Sequence, residues 1–345
     1  MNILIIGGGG REHTIAWKLT KSPNCGKLFV APGNAGTHEI ATNLSIGVTD
    51  FEGIKQAVLV NSVRMVIVGP EDPLVNGIHD FFLADVQLQG ITLVGPQQAA
   101  ANLEGSKEFA KEFMKAHNIP TAQYDSFIAE TAEDGCRFLE TMKSPYVLKA
   151  DGLAAGKGVL IIEDLAEAQD ELRQMLVGKK FGAASQKVVI EEFLDGIELS
   201  CFVLTDGKNY LTLPMAKDYK RIGEGDTGLN TGGMGAISPV PFASDEFIKK
   251  IEDRVIKPTM DGFQKSNLPF QGFVFIGLIK VGDDPFVIEY NVRMGDPETE
   301  VVFPRIQNDW VELFQAVGAQ TLDQHQLQID PRTATTIMAV SGGYP

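Results

Sequence analysis

The sequence has 345 residues, enough for two or three domains with a sizeable core. It is 44% hydrophobic and 22% charged, which is globular composition and excludes a disordered chain. With 45 acidic and 30 basic residues the net charge is −15, which excludes a general polyanion partner such as nucleic acid or an acidic membrane surface; for an anionic ligand, positive charge must be concentrated locally.

Residues 1 to about 100 alternate short apolar runs, at 3–6, 28–31, 65–68 and 92–94, with helical patterns near 12–20, 51–61 and 75–84. Buried strands alternating with helices predict a parallel sheet with right-handed crossovers, whose strand ends bind ligands. Those ends carry Gly7 to Arg11, Pro32 to Gly36 and Gly69 to Asp72. A helix is predicted over 104–117, then strands at 146–149, 159–163 and 187–191 with a helix at 165–176. An antiparallel pair follows at 198–205 and 210–214. Residues 218–235, rich in Gly, Asp and Thr, are too long for an idle loop. A helix over 245–263 and a hairpin of 273–281 with 286–293 complete the pattern, and 336–340 reads as one more strand. No apolar run approaches the ~20 residues that span a bilayer, and the first is too short for a signal peptide. Cys25, Cys136 and Cys201 make neither a disulfide framework nor a CxxC pair, so a reducing, cytoplasmic location is expected. The five histidines show no metal-ligand spacing.

Three stretches could carry chemistry. The run GGGGREH at 7–13 joins a strand to a helix, where glycines let the backbone approach an anion. It lacks the third glycine of GxGxxG, so it fails as a dinucleotide fingerprint; Arg11 suggests a small anion instead, and a mere tight turn is the plainer reading. In KADGLAAGKGV at 149–159, small residues and two lysines can cradle phosphates between two strands, although the pattern is not a Walker A loop; a solvated hairpin loop is the alternative. On FVIEYNVR at 286–293, Glu289, Asn291 and Arg293 share one strand face, with Ile288, Tyr290 and Val292 on the other. A carboxylate and an amide oxygen about 7 Å apart suit Mg²⁺ completed by phosphate oxygens, and Arg293 can fork onto a carboxylate. A polar edge, with Arg293 paired to Asp296 or Glu298, would explain the same residues.

Together these motifs resemble the ATP-grasp superfamily and, within it, the phosphoribosylamine–glycine ligase family. The resemblance runs through GGGGREHT at 7–14, APGNAG at 31–36, VGPEDPLVNG at 68–77, LEGSK at 103–107, LKADGLAAGKGV at 148–159, EEFLDG at 191–196, NTGGMGAISP at 230–239, RMGDPETE at 293–300 and SGGYP at 341–345. It implies an α/β and α+β multidomain fold: a parallel α/β N-terminal domain (1–102), a main ATP-grasp domain (103–121 and 191–328), a small lid (122–190), and the start of a C-terminal domain (329–345) that is cut short, since family members continue for several tens of residues. It implies ATP with Mg²⁺ or Mn²⁺, glycine and 5-phosphoribosylamine as small-molecule substrates, and a monomer.

The resemblance also implies roles. Lys107, Lys149, Gly156, Lys157, Gly158, Glu191, Glu192, Phe193, Leu194 and Glu198 would bind ATP, with the backbone of 191–194 at adenine and Glu198 at the ribose. Glu289 and Asn291 would hold the metal. Gly9, Gly10, Arg11, Glu12, Asn34, Glu71, Asp218, Gly233 and Arg293 would meet the other substrates, with Arg293 at glycine, and Arg293, Asp296 and Lys149 would be catalytic. The sequence departs from the usual pattern at Thr14, Leu229, Met294 and Glu300. A sibling ATP-grasp ligase, a dehydrogenase and a non-catalytic ATP-binding protein are the competing classes.

Overall fold

Apolar runs without polar alternation need cover on both faces, and the first hundred residues provide it. The computed structural model describes residues 1–153, 158–178, 180, 182, 186–225 and 227–344. Strands β1 (Asn2–Gly7), β2 (Leu28–Pro32), β3 (Thr42–Asn43), β4 (Val63–Val68) and β5 (Thr92–Val94) form a parallel sheet in the order β3-β2-β1-β4-β5. Leu4 and Ile6 enter one apolar cluster and Ile3 and Ile5 another, as the two-residue period of a strand requires. The strand ends at Gly7, Pro32 and Gly69 gather at one edge, as anticipated from the sequence.

Two predicted helices are each divided. That over 75–84 is Glu71–Val75 and Ile78–Ala84, broken at Gly77 with φ 84°. That over 104–117 is Gln98–Gly105 and Lys107–Ala116; Ser106 is extended and its hydroxyl accepts from Phe109 N at 3.1 Å, starting the second helix.

A second sheet is antiparallel: β6 (Tyr124–Ile128), β7 (Tyr146–Ala150), β8 (Val159–Ile162) and β9 (Lys187–Glu192), in the order β6-β9-β7-β8. With helices Ala132–Glu140 and Leu165–Leu176 it encloses its own core, including Leu139, Leu148, Leu172 and Ile190. The chain enters and leaves this unit side by side: Glu192 N donates to Gln123 O at 2.8 Å, and Gln123 N to the Glu192 carboxylate at 3.2 Å.

The remainder carries β10 (Ile197–Thr205), β11 (Tyr210–Thr212), β12 (Lys217–Gly223), β13 (Thr227–Ser238), β14 (Gly272–Val281), β15 (Asp284–Asn291) and β16 (Ala334–Ile337). They make an antiparallel sheet β11-β10-β14-β15 and a ribbon β12-β13-β16. The Gly-rich stretch at 218–235 is thus a β-hairpin, not a loop. The helix predicted over 245–263 runs through Asp245–Ile251 and Lys257–Lys265 with a π-helical stretch, Glu252–Ile256, between them. One apolar cluster joins Leu4 and Phe29 of the parallel sheet to Val203, Ile276 and Tyr290 of the larger one. Among the described residues, no helix is long and apolar enough to cross a membrane.

Candidate active site

The glycine turn after β1 opens helix Gly10–Leu19 and brings its first residues against the segment after β15. Glu12 folds back under the turn and accepts from Gly9 N at 2.6 Å. Gly69 leaves room for that carboxylate, since a Cβ there would collide with it. Arg11 N donates to Asp296 Oδ2 at 3.1 Å. Asn34 caps the short helix Ala35–His38 and donates to Gly8 O and Gly9 O at 3.0 and 3.2 Å. Arg11, read from the sequence as a small-anion ligand, has its guanidinium engaged within the chain. Its guanidinium is buried, with Nε on Glu12 at 2.6 Å and Nη1 on Met294 O at 3.0 Å, so it cross-links the turn to 294–296.

Arg293 stands just beyond β15. It pairs with neither Asp296 nor Glu298, the structural alternative weighed above. Its Nε is 3.1 Å from Glu71 and its Nη2 is 2.6 Å from Glu104. Glu104 also accepts from Val292 N at 2.8 Å. Burial pushes the Glu104 carboxyl up to about 7 despite Arg293. At Glu71 burial acts in the same direction, but Arg293 prevails and holds it below its usual value. Sequence reasoning missed Glu104, although it lies within a motif used for the resemblance.

The cationic part of the site is built by i,i+4 and cross-strand spacing. Lys107 and Lys111 share a face of helix Lys107–Ala116, and Lys149 lies diagonally across β7 and β9 from Glu191. The buried Glu191 carboxylate sits between Lys111 at 2.8 Å and Lys149 at 3.0 Å. Burial alone would raise Glu191, yet the two lysines hold it down; Lys111 itself is lowered to about 8 by burial. Lys107 donates to Gly152 O at 2.9 Å, and its ammonium is lowered by burial. Asp151 accepts from Glu108 N and Ser106 Oγ, at 3.0 and 3.1 Å, so the strand end at Lys149 and the start of the Lys107 helix are fastened together.

Glu289 is the counterpart. It faces Gly277 across the hairpin, and an irregularity in the ladder beside it turns Ile288 into the same recess, contrary to the strict alternation expected. Burial would raise its carboxyl, but Lys220, Lys149, Lys107 and Arg293 bring it below the ordinary range. Lys220 was not singled out in the sequence; only its alternation with Asp218 on β12 hints at it. It lies 3.6 Å from Glu198 and 3.7 Å from Asp218, and these carboxylates with Glu289 outweigh burial and raise it. Glu298 is buried, accepts from Ser200 Oγ at 3.0 Å, and is raised to about 7 by burial and by Asp218.

The other expected site residues surround this recess. Glu192, Phe193 and Glu198 are exposed and Leu194 is half-buried along the connector after β9. Gly158 O accepts from Ala150 N at 2.8 Å, closing the β7–β8 pair. Gly156 and Lys157 lie outside the described residues. Gly233, at φ 129°, packs against the Pro297 ring so closely that a side chain would not fit. Tyr344 Oη accepts from Gly232 N at 3.0 Å, joining two of the motifs.

Among the described residues, no three acidic, His or Cys side chains converge as a preformed metal cage. One carboxylate, Glu289, and one amide, Asn291, two residues apart on β15, fit a cation that takes most of its oxygens from phosphates and water.

A parallel sheet, an antiparallel lid-like unit and a larger sheet converging on lysines opposite a strand-borne Glu and Asn define an ATP-grasp enzyme, a class that uses ATP with divalent cations. An ADP complex of an N5-carboxyaminoimidazole ribonucleotide synthetase shares the fold, with a TM-score of 0.71 at 15% identity over 97% of this chain and 81% of that one. The family described as phosphoribosylglycinamide synthetase matches through its N domain at residues 1–104 and its ATP-grasp (A) domain at 105–299. The phosphoribosylamine–glycine ligase of Pasteurella multocida is 47% identical over all of this chain and 80% of its own length. The crystal structure of the Thermotoga maritima phosphoribosylamine–glycine ligase covers the whole chain, and 82% of its own, at 34% identity and a TM-score of 0.84. A bifunctional purine biosynthetic protein of Pichia angusta is 45% identical, and the chain spans 44% of it. The chain belongs to the phosphoribosylamine–glycine ligase (phosphoribosylglycinamide synthetase) family.

Proposed function

We propose that the chain joins glycine to 5-phosphoribosylamine at the expense of ATP, giving glycinamide ribonucleotide, ADP and phosphate in purine biosynthesis. The observation that carries this reading is the set of Lys107, Lys149, Lys220 and Arg293 gathered around Glu289. A glycine carboxylate does not acylate an amine at neutral pH. Transfer of the γ-phosphoryl group to it makes glycyl phosphate; the amine attacks that carbonyl, phosphate leaves, and the nitrogen gives one proton to the Asp296 carboxylate. The chain's work is positioning and charge neutralisation, with no covalent nucleophile.

Lys107 and Lys149 address the ATP phosphates, and the connector 191–194 with Glu198 takes the nucleoside. Glu289 and Asn291 would hold Mg²⁺ or Mn²⁺, which supplies positive charge beside the phosphates. Arg293 takes the glycine carboxylate. Its Glu71 partner, with a side chain 27% exposed, is the exchangeable one; Glu104, at 6%, anchors the guanidinium. Gly9 to Glu12 and Asn34 face phosphoribosylamine, while Asp218 and Gly233 support the site from the hairpin. We take 122–190 as a lid that keeps glycyl phosphate from water, between an N-terminal domain at 1–102 and a main domain at 103–121 with 191–328; 329–345 would begin a further domain. We read the protein as a cytoplasmic monomer, in keeping with the free cysteines.

The test is ADP release with each substrate omitted in turn. Release is expected only when ATP, glycine and phosphoribosylamine are all present. Release that ignores glycine but follows another carboxylate would favour a sibling ATP-grasp ligase.

A further inference from the structure

Glu300 is out of place by the rules that govern buried charge. Both its carboxyl oxygens are buried and neither has a hydrogen-bond partner among the described residues. A lone carboxylate in that position would be costly. It lies at the start of helix Gly10–Leu19: a Cβ on Gly10 would stand 2.5 Å from Glu300 Oε1 and 3.6 and 3.7 Å from the two Asp296 oxygens. The two carboxyl groups therefore look onto the same glycine. Among the described residues Asp296 accepts from one donor, Arg11 N at 3.1 Å.

The charged neighbours set the balance. On its own turn Glu300 faces the Asp296 carboxylate and Glu298, whose own carboxyl is raised to about 7 by burial and Asp218. From helix Gly10–Leu19 it faces Arg11, already engaged by Glu12 and Met294 O. Strands β13 and β16, which also pack on this turn, carry no ionisable side chain. Arg305, in the turn that follows, donates to Ser238 Oγ and to the carbonyls of Asp330 and Arg332. Two carboxyl groups this near one another do not both ionise readily. Burial and the Asp296 charge lift Glu300 to about 8.

We propose that Glu300 is a positioning residue: as a neutral acid it donates its hydroxyl to Asp296 and, with Arg11 N, fixes the Asp296 carboxylate toward the substrate amine. The proposal rests on the ligase reading in its use of Asp296. An acid that is neutral in the fold and ionised in the unfolded chain stabilises fully below about 4.5, and that contribution is lost as pH rises toward 8. Glutamine keeps a donor of the same shape and has no proton to lose; leucine keeps the bulk without a donor.

The experiment compares the full chain with E300Q, E300L and D296N by thermal melting from pH 5 to 8.5 and by steady-state turnover over the same range. E300Q is expected to gain on the parent by ~2–4 °C or more between pH 5 and 8.5. It is also expected to lose the alkaline fall in kcat and to recover most of the activity that E300L loses, at least ~10-fold. An E300Q–parent melting gap that is equal at both ends of the range overturns the neutral acid. Parent-like turnover by E300L, with D296N inactive, overturns the positioning role alone. If D296N turns over normally, the ligase reading of Asp296 fails, while the melting comparison still decides the protonation of Glu300.

Discussion

Glu289 is held ionised by four cations, so its removal has two separable effects. E289Q leaves Lys107, Lys149 and Lys220 facing one another with less negative charge between them, and it removes the carboxylate best placed for a metal. Turnover is expected to fall by about 100-fold or more, corresponding to several kcal/mol of lost charge stabilisation, with the fold retained. Near-parental ADP release at limiting Mg²⁺ would sink the metal assignment. Arg293 is tied to Glu71 and Glu104 in a planar fork that lysine cannot copy. R293K is expected to lower the melting temperature and to raise the glycine requirement by ~10- to 150-fold, the equivalent of ~1.5–3 kcal/mol, with a smaller change for ATP. A lowered melting temperature with an unchanged glycine KM would make Arg293 a clamp only. The residues legible in the sequence were those on one strand or in one motif, such as Glu289, Asn291 and Lys149. Lys111, Lys220 and Glu298 were not, because their partners lie on other elements and only folding reveals the pairing.

At the scale of elements, strand and helix patterns were readable wherever one period dominated. The buried runs of β1, β4 and β7 and the helix Leu165–Leu176 stand where the sequence put them. Boundaries failed where a local polar group overruled a continuing apolar period. Ser106 interrupts the helical pattern by capping a new helix, and the glycines of β13 hide a strand because they contribute no side chains to read. Strand β6 and helix Ala132–Glu140 escaped for want of a long period. The junction of β7, β9 and helix Lys107–Ala116 depends on Lys149 and Lys111 sharing Glu191. K149A is expected to weaken ATP binding by at least ~10-fold, the scale of a lost charged hydrogen bond, while Lys111 keeps Glu191 from being left uncompensated. Isothermal titration with a non-hydrolysable ATP analogue checks this; parent-like affinity would place the phosphates elsewhere.

Across the site, six glutamates fall into two groups with opposite pH behaviour. Glu71, Glu191 and Glu289 are lowered, so what they contribute is present above about 4.5 and lost as pH falls. Glu104, Glu298 and Glu300 are raised to about 7, 7 and 8, so their contribution is present below about 4.5 and lost as pH climbs through those values. The melting temperature is expected to peak near pH 4.5 to 5, to decline from there to about pH 8, and to level off above it. A continuous rise to pH 9 in a buffer series would contradict these assignments. The parallel sheet and the larger antiparallel sheet share one core, whereas the unit of β6 to β9 has its own. Its two connectors, at Gln123 and Glu192, are hydrogen-bonded to each other where the chain crosses. Two cords laced together at the crossing resist twisting and sideways slip but yield to bending along the line they share. Any swing about that line would also have to part the Asp151 contacts with Glu108 N and Ser106 Oγ, so the crossing and this second fastening together act as hinge and latch.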